Sequence, residues 1–223
     1  MMVRLNLRLE LLSDTLIGSG EGWGANIDSD VVFDGFGLPF IPARRIKGSL
    51  RESALEIIEM FENSGINSAS RQDIDRLFGK SGKDRPGGIS FSNCYLDDYL
   101  SNREWIEWLM KMYPEYFSKE IILHTFTLIR QQTAIDDGGT AKEHSLRTFR
   151  VLKKGLVFFG NMETSNTIEP DQLGLLSFAA RNLRYLGTNR NRGFGYIGCT
   201  VLDEKGVMDG EYLNNLENSI KGA

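Results

Sequence analysis

Apolar and polar residues alternate at the start of the chain, with Val3, Leu5, Leu7, Leu9 and Leu11 each separated by one polar position. A period of two belongs to a strand with one buried face, so a strand is predicted here. Residues 13–30, rich in Gly, Ser and Asp, read as a loop, and short extended pieces at 31–33 and 38–41 follow before Pro42 closes the run. From Arg44 the spacing changes to three and four. Ile46, Leu50, Ala54, Ile57, Ile58 and Phe61 then predict a helix of about five turns. A shorter helix is expected over 70–78, with Ser70 as N-cap and Asp73 where a carboxylate completes the cap.

The run KSGKDRPGG at 80–88 reads as a loop and ISFSNCYL at 89–96 as a strand. Residues 101–117 fit a helix whose core stripe is Trp105, Trp108, Leu109 and Met112, interrupted by Pro114. The apolar, β-branched run 121–129, the turn DDGG at 136–139 and the run 146–152 predict a long hairpin. A strand at 155–163 follows, then a helix opened by Pro170 and Asp171 and ending at Gly187. A last strand at 194–202 and a short amphipathic helix after Asp209 complete the pattern. The order strand, helix, strand, strand, helix, strand is that of an α+β, ferredoxin-like (RRM-like) palm. It is read as one domain over 1–223, with a thumb-like insertion at about 97–150 carrying the hairpin.

Composition narrows the function classes. Hydrophobic residues make up 41% and charged residues 25%, as expected of a soluble globular protein. The N-terminus lacks the apolar run of a signal peptide and no later stretch is long and apolar enough to span a bilayer, so a cytoplasmic protein without a membrane partner is expected. Cys94 and Cys199 sit in apolar, strand-like runs and read as buried thiols. A zinc site would need both of them together with His124 and His144, and the spacing argues against it. His124, in an apolar run, reads as structural, and His144, among Lys142, Glu143 and Arg147, fits plain exposure in the hairpin as well as contact with a ligand.

The formal net charge of −4 hides a strong unevenness. No acidic residue occurs between Asp171 and Asp203, a window that holds Arg181, Arg184, Arg190 and Arg192. Arg44, Arg45, Lys47 and Arg51 form a second basic cluster at the start of the first helix. Either cluster alone fits a solvated face as well as a phosphate grip. Two glycine-rich stretches bear on the choice. GSGEGWG at 18–24 lacks the G-K-[ST] ending of a phosphate loop and is followed by no helix, so it reads as a pliable connection. RGFGYIGC at 192–199 is close to an RNA-recognition-motif strand, but it falls on the last strand instead of a central one.

Four stretches taken together carry a resemblance. LPFIPARRIKGSLRE (38–52), LFGKSG (77–82) before the strand GISFSNCYL, TAIDDGGTAKEHSLRTFRVLKKGLVF (133–158) and LGTNRNRGFGYI (186–197) occur in this order. The chain resembles the RAMP superfamily of CRISPR-associated proteins, and within it most closely the repeated backbone subunit of type III (Csm/Cmr) effector complexes.

That resemblance implies a guide RNA and a complementary target RNA as partners, with other effector subunits, in several copies or related forms, along a filament. It implies that Arg44, Arg45, Lys47, Ser49 and Arg51 grip guide phosphates, joined by Arg184, Asn189, Arg190, Arg192 and Gly193 around the glycine-rich loop. It further implies Asp28, in ANIDSDVVFDGFG, as the residue that cleaves target RNA with a divalent metal, Mg²⁺ or Mn²⁺. Asp30 stands where the family often has a proline and is a second candidate metal ligand. A non-catalytic subunit of the same complex, or a guide-processing endoribonuclease, remains the alternative. The latter commonly relies on an N-terminal histidine, and this chain has none before His124. Read without the resemblance, Asp28, Asp30 and Asp34 are also ordinary turn residues.

Overall fold

The computed structural model describes residues 3–20, 27–66, 68–80, 87–165, 168–203 and 210–221. Strand β1 (Arg4–Leu11) buries Leu5, Leu7, Leu9 and Leu11 as the alternation predicts. Each such side chain, fully withdrawn from water, contributes about 1.5–3 kcal/mol. After β2 (Phe40–Ile41), helix α1 (Ala43–Asn63) buries the predicted stripe from Ile46 to Phe61. Helix α2 (Arg71–Phe78) starts at the expected cap: Asp73 Oδ2 accepts from both the N–H and the hydroxyl of Ser70, and Gln172 Nε2 donates to Oδ1.

The predicted strand at 89–96 is two short ones, β3 (Ile89–Phe91) and β4 (Cys94–Leu96). The break holds Asn93, whose side-chain oxygen accepts from the Ala43 N–H and fastens the start of α1. Helix α3 (Tyr99–Met112) follows, then α4 (Lys119–Phe126), β5 (Thr127–Gln132), β6 (Arg147–Leu152) and β7 (Val157–Thr164). Helix α5 (Pro170–Asn182), a 3₁₀ turn at Arg190–Arg192, β8 (Ile197–Leu202) and α6 (Gly210–Lys221) end the described chain.

The main sheet runs β2-β4-β7-β1-β8, and β3 also pairs with β7; every one of these pairings is antiparallel. With β3 and β4 counted as one broken strand, the spatial order is fourth, first, third, second, which is the ferredoxin-like arrangement. Helices α1 and α5 pack on each other, with the Ser53 hydroxyl donating to Ala179 O at 2.8 Å and Asn182 Nδ2 donating to Ser53 Oγ at 3.0 Å. Cys94 and Cys199 are both buried thiols outside any disulfide, and burial pushes the Cys94 thiol up to about 12. Strands β5 and β6 form a separate two-stranded sheet, and Asp136 closes the DDGG turn by accepting from the N–H groups of Gly138 and Thr140.

Two expectations in the insertion are corrected. The strand expected at 121–129 is helical up to Phe126, because Ser118 Oγ accepts from the Ile121 N–H and the capped turn buries Ile122 and Leu123. A local cap here overrides β-branched propensity. The core stripe expected on α3 points outward: Trp105 is 58% and Trp108 43% exposed. The helix instead turns Tyr99, Ile106 and Met110 toward Leu38 and Ile122. Both stripes have helical spacing, so periodicity alone does not choose between them. The last strand also starts later than predicted, at Ile197, with Phe194 buried before it.

The described part of the loop after β1, residues 12–20, is a strap. Thr15 pairs with Leu152 of β6, Leu16 with Thr188 of the glycine-rich loop, and Gly18 with Val31. The rest of GSGEGWG, residues 21–24, and most of KSGKDRPGG lie outside the described residues. Gly187 has φ +92°, and a Cβ there would collide with the Leu16 carbonyl; Gly195, at φ +79°, stands in the same relation to the Leu186 carbonyl. Gly193 also has positive φ, +83°, but its missing Cβ faces open space. Gly187→Ala should therefore lower the free energy of unfolding by about 1–3 kcal/mol, and Gly193→Ala by less. Urea unfolding of the two variants checks the order.

Candidate nucleic-acid interface

The glycine-rich loop leaves α5 through the extended residues Leu183–Tyr185, turns at Gly187 and makes its 3₁₀ turn at 190–192 between two left-handed positions, Asn189 and Gly193. Leu186 and Phe194 point into the core, which leaves Tyr185, Arg190, Arg192 and Tyr196 outside. A broad groove runs past Tyr185, Asn189, Arg190, Arg192, Gly193 and Tyr196. An adjoining depression joins Arg184 and Arg190 to Ser49 on α1. Of the predicted α1 residues, Ser49 thus stands beside Arg184 and Arg190, and Glu52 and Glu56 also line the second depression.

Not all of the predicted cations are free to meet a ligand. Arg45 Nη2 donates to the Gly18 carbonyl at 2.8 Å and holds the strap, and Arg51 lies 3.8 Å from Asp75 of α2 with its Nε buried. Arg44, Lys47, Arg184, Arg190 and Arg192, by contrast, make no ion pair or side-chain hydrogen bond to another described residue. Three of these, Arg184, Arg190 and Arg192, lie in a window without acids and give the glycine-loop face the local sign that the net charge conceals.

Asp28 lies in a different depression, lined by Ile27, His124, Ile129, Gln131, Leu146, Thr148 and Arg150. Its backbone N–H donates to Thr148 O at 2.9 Å, and its Oδ2 accepts from the Thr148 N–H at 2.7 Å. Ser29 and Phe149 extend this as a parallel bridge, so the hairpin strand β6 carries the aspartate. The carboxylate stays partly exposed at 42%, with Arg147 Nη1 3.8 Å from Oδ1.

Asp30 faces the other way. It is buried, Oδ1 accepts from the Val31 N–H at 2.7 Å, Arg150 Nε stands 3.6 Å away, and Oδ2 has no hydrogen-bond partner. Burial raises its pKa above the ordinary carboxylate range, and the Arg150 charge and the Val31 N–H offset this only in part. Asp30 is thus committed to an internal ion pair and does not share a site with Asp28.

Among the described residues no group of three or more His, Cys, Asp or Glu is placed to hold a metal ion. A single exposed carboxylate still suits Mg²⁺ or Mn²⁺, which keeps several waters and takes its other ligands from phosphate oxygens. His124 was missed in the sequence because its run reads as a strand. On α4 it is exposed and opens onto the Asp28 depression, while His144 is exposed in the hairpin loop.

These features define a class: a ferredoxin-like α+β protein with a basic, glycine-looped face and, on the hairpin side, a separate depression holding one carboxylate. The chain belongs to the RAMP superfamily, whose family model matches residues 8–198. It is 25% identical over 189 residues to a protein of Enterococcus italicus described as the CRISPR system Cms endoribonuclease Csm3, covering 77% of this chain and 83% of that one. The fold is also that of a chain in the type III-B Cmr-beta complex in its apo state, with TM-score 0.63, 14% identity and coverage of 91% of this chain and 98% of that one. A chain of the same complex bound to cognate target RNA matches with TM-score 0.63 and 12% identity, over 89% and 96% of the two chains. No described helix is long and apolar enough to cross a membrane.

The buried pair behind Asp28 predicts a graded response. Arg150→Met strands the Asp30 carboxylate and should cost on the order of 3 kcal/mol at neutral pH. Adding Asp30→Asn should recover part of that loss. Because a buried carboxyl with a raised pKa is favoured in its protonated form, the defect of Arg150→Met should shrink as pH falls. Urea unfolding of both variants at neutral and acidic pH measures this.

Proposed function

We propose that this chain is a guide-RNA-binding backbone subunit of a type III CRISPR effector complex, and that Asp28 cleaves the paired target RNA. The observation that carries the reading is the separation of two surfaces. Unpartnered Arg184, Arg190 and Arg192 gather on the glycine-loop face beside Ser49 of α1, while an exposed carboxylate stands on the hairpin side, held by backbone and aimed into an open depression. Likeness to Csm3 and to Cmr-beta chains supports it. One face would hold one strand by its phosphates, and the other would act on the strand paired with it.

In the proposed reaction the Asp28 carboxylate takes the proton of a ribose 2′-OH, and the 2′-oxygen attacks the adjacent phosphorus. The P–O5′ bond breaks, leaving a 2′,3′-cyclic phosphate and a 5′-oxygen that is protonated from water. The Thr148 N–H fixes the orientation of the carboxylate, and Arg147 places positive charge beside the reacting phosphate. A divalent ion held by Asp28 would supply neutralisation of phosphate charge. Asp30 is left out of this set by its burial against Arg150.

Asp28→Asn should abolish target cleavage in Mg²⁺ by the assembled complex at the position this subunit covers, with guide affinity kept within about twofold. Cleavage persisting there would move the chain to a purely structural role, and a metal-independent cut in precursor RNA by the isolated chain would favour guide processing. Affinity for single-stranded RNA should also fall with salt, by about 0.7 log units per log unit of salt for each phosphate neutralised. Arg190→Ala and Arg192→Ala should each lower that slope by about 0.7. Titrations at several salt concentrations test this.

A further inference from the structure

The phosphate grip leaves unexplained why two large aromatic side chains stand in the groove beside it. Tyr185 and Tyr196 are each 44% exposed, and their ring centroids lie 5.5 Å apart with planes inclined at 49°. Both line the groove that holds Arg190 and Arg192. Their phenolic oxygens make no hydrogen bond to another described residue, so the hydroxyls do not account for the placement.

The backbone beneath them is fixed on both sides. Tyr185 and Tyr196 form an antiparallel bridge, the Ile197 N–H donates to Arg184 O at 2.8 Å, and the Leu186 N–H donates to Gly195 O at 2.9 Å. The Tyr196 N–H donates to the Ser13 hydroxyl, and Tyr196 O accepts from the Leu12 and Ser13 N–H groups. Leu186 and Ile197, the chain neighbours of the paired tyrosines, are buried, so alternation turns Tyr185 and Tyr196 out. An inclined pair cannot stack fully on itself, and each ring keeps an open face. A rigid aromatic platform beside unpartnered guanidiniums, in a stretch of chain without carboxylates, matches the chemistry of a single-stranded nucleotide: an anionic backbone carrying a flat π-face.

We propose that Tyr185 and Tyr196 form a base-stacking subsite in which one nucleobase of the bound single strand lies against the tyrosine rings while Arg190 and Arg192 hold its flanking phosphates. The subsite rests on the RNA-binding reading above and adds to it a contact with the base. It reads no sequence, because every base presents a π-face. Its contribution is affinity and the placing of nucleotides in register along the groove.

The test uses the full chain and a fluorescently labelled, unstructured RNA oligonucleotide of mixed sequence, with a second oligonucleotide of equal length that carries ribose phosphates without bases. Tyr185→Ala and Tyr196→Ala should each weaken binding to the normal RNA by about 5- to 100-fold, the range for a stacked base, with an unchanged salt slope. Tyr185→Phe and Tyr196→Phe, which keep the ring, should bind like the unmodified chain. The unmodified chain should bind the base-free RNA more weakly, and the alanine variants should bind it no more weakly still.

Equal affinity of the unmodified chain for the two RNAs would overturn the subsite without touching the phosphate grip, and that arm needs no variant to fold. Alanine variants that bind normal RNA like the unmodified chain would overturn it too. If the unmodified chain shows no salt-dependent affinity for either RNA, the RNA-binding reading itself fails and the subsite falls with it.

Discussion

The strap over residues 13–20 presses its backbone against the glycine-rich loop so closely that Gly187 has no room for a side chain. Most of what can act on a ligand depends on this contact. From Leu16 the loop gains a paired partner, and from Gly18 and Ser19 the same strap reaches the Asp30–Val31 segment, where the Ser19 N–H donates to Asp30 O at 2.8 Å. Arg45 on α1 clamps the strap at the Gly18 carbonyl. One short stretch of backbone therefore ties together the first helix, the glycine-rich loop and the segment that ends at the hairpin.

The glycines of that loop divide by role. Gly187 and Gly195 serve the protein's own packing, since positive φ and a facing carbonyl exclude any other residue at no cost. Gly193, by contrast, has open space where a Cβ would be, so its positive φ and not packing favours glycine there. The arginines divide in the same way. Arg45, Arg51 and Arg150 are spent on internal contacts, whereas Arg44, Arg184, Arg190 and Arg192 stay available. A basic cluster is thus partly structural, and the remainder supplies the electrostatic surface.

The hairpin couples two features that lie far apart in sequence. Its strand β6 carries Thr148, which fixes Asp28, and Arg150, which neutralises Asp30 one pleat further along. Any shift of the hairpin against the palm would move the Asp28 carboxylate with it. The exposed apolar side chains Leu128, Ile129 and Leu146 lie on the same hairpin.

The sequence by itself determined the elements whose side chains answer to a single period or cap. The leucine alternation of β1, the stripe of α1, the Ser70–Asp73 cap and the DDGG turn are local rules, and each formed as those rules require. Only the tertiary structure decided which of two helical stripes α3 buries, that His124 opens toward Asp28, and that Asp30 is consumed by Arg150. Leu38 lies far in sequence from Ile106, His124 from Asp28 and Arg150 from Asp30, and free energies of long-range packing leave no mark on local spacing. The outward pair of Tyr185 and Tyr196 belongs with them, because two strands must pair before alternation can set two rings side by side.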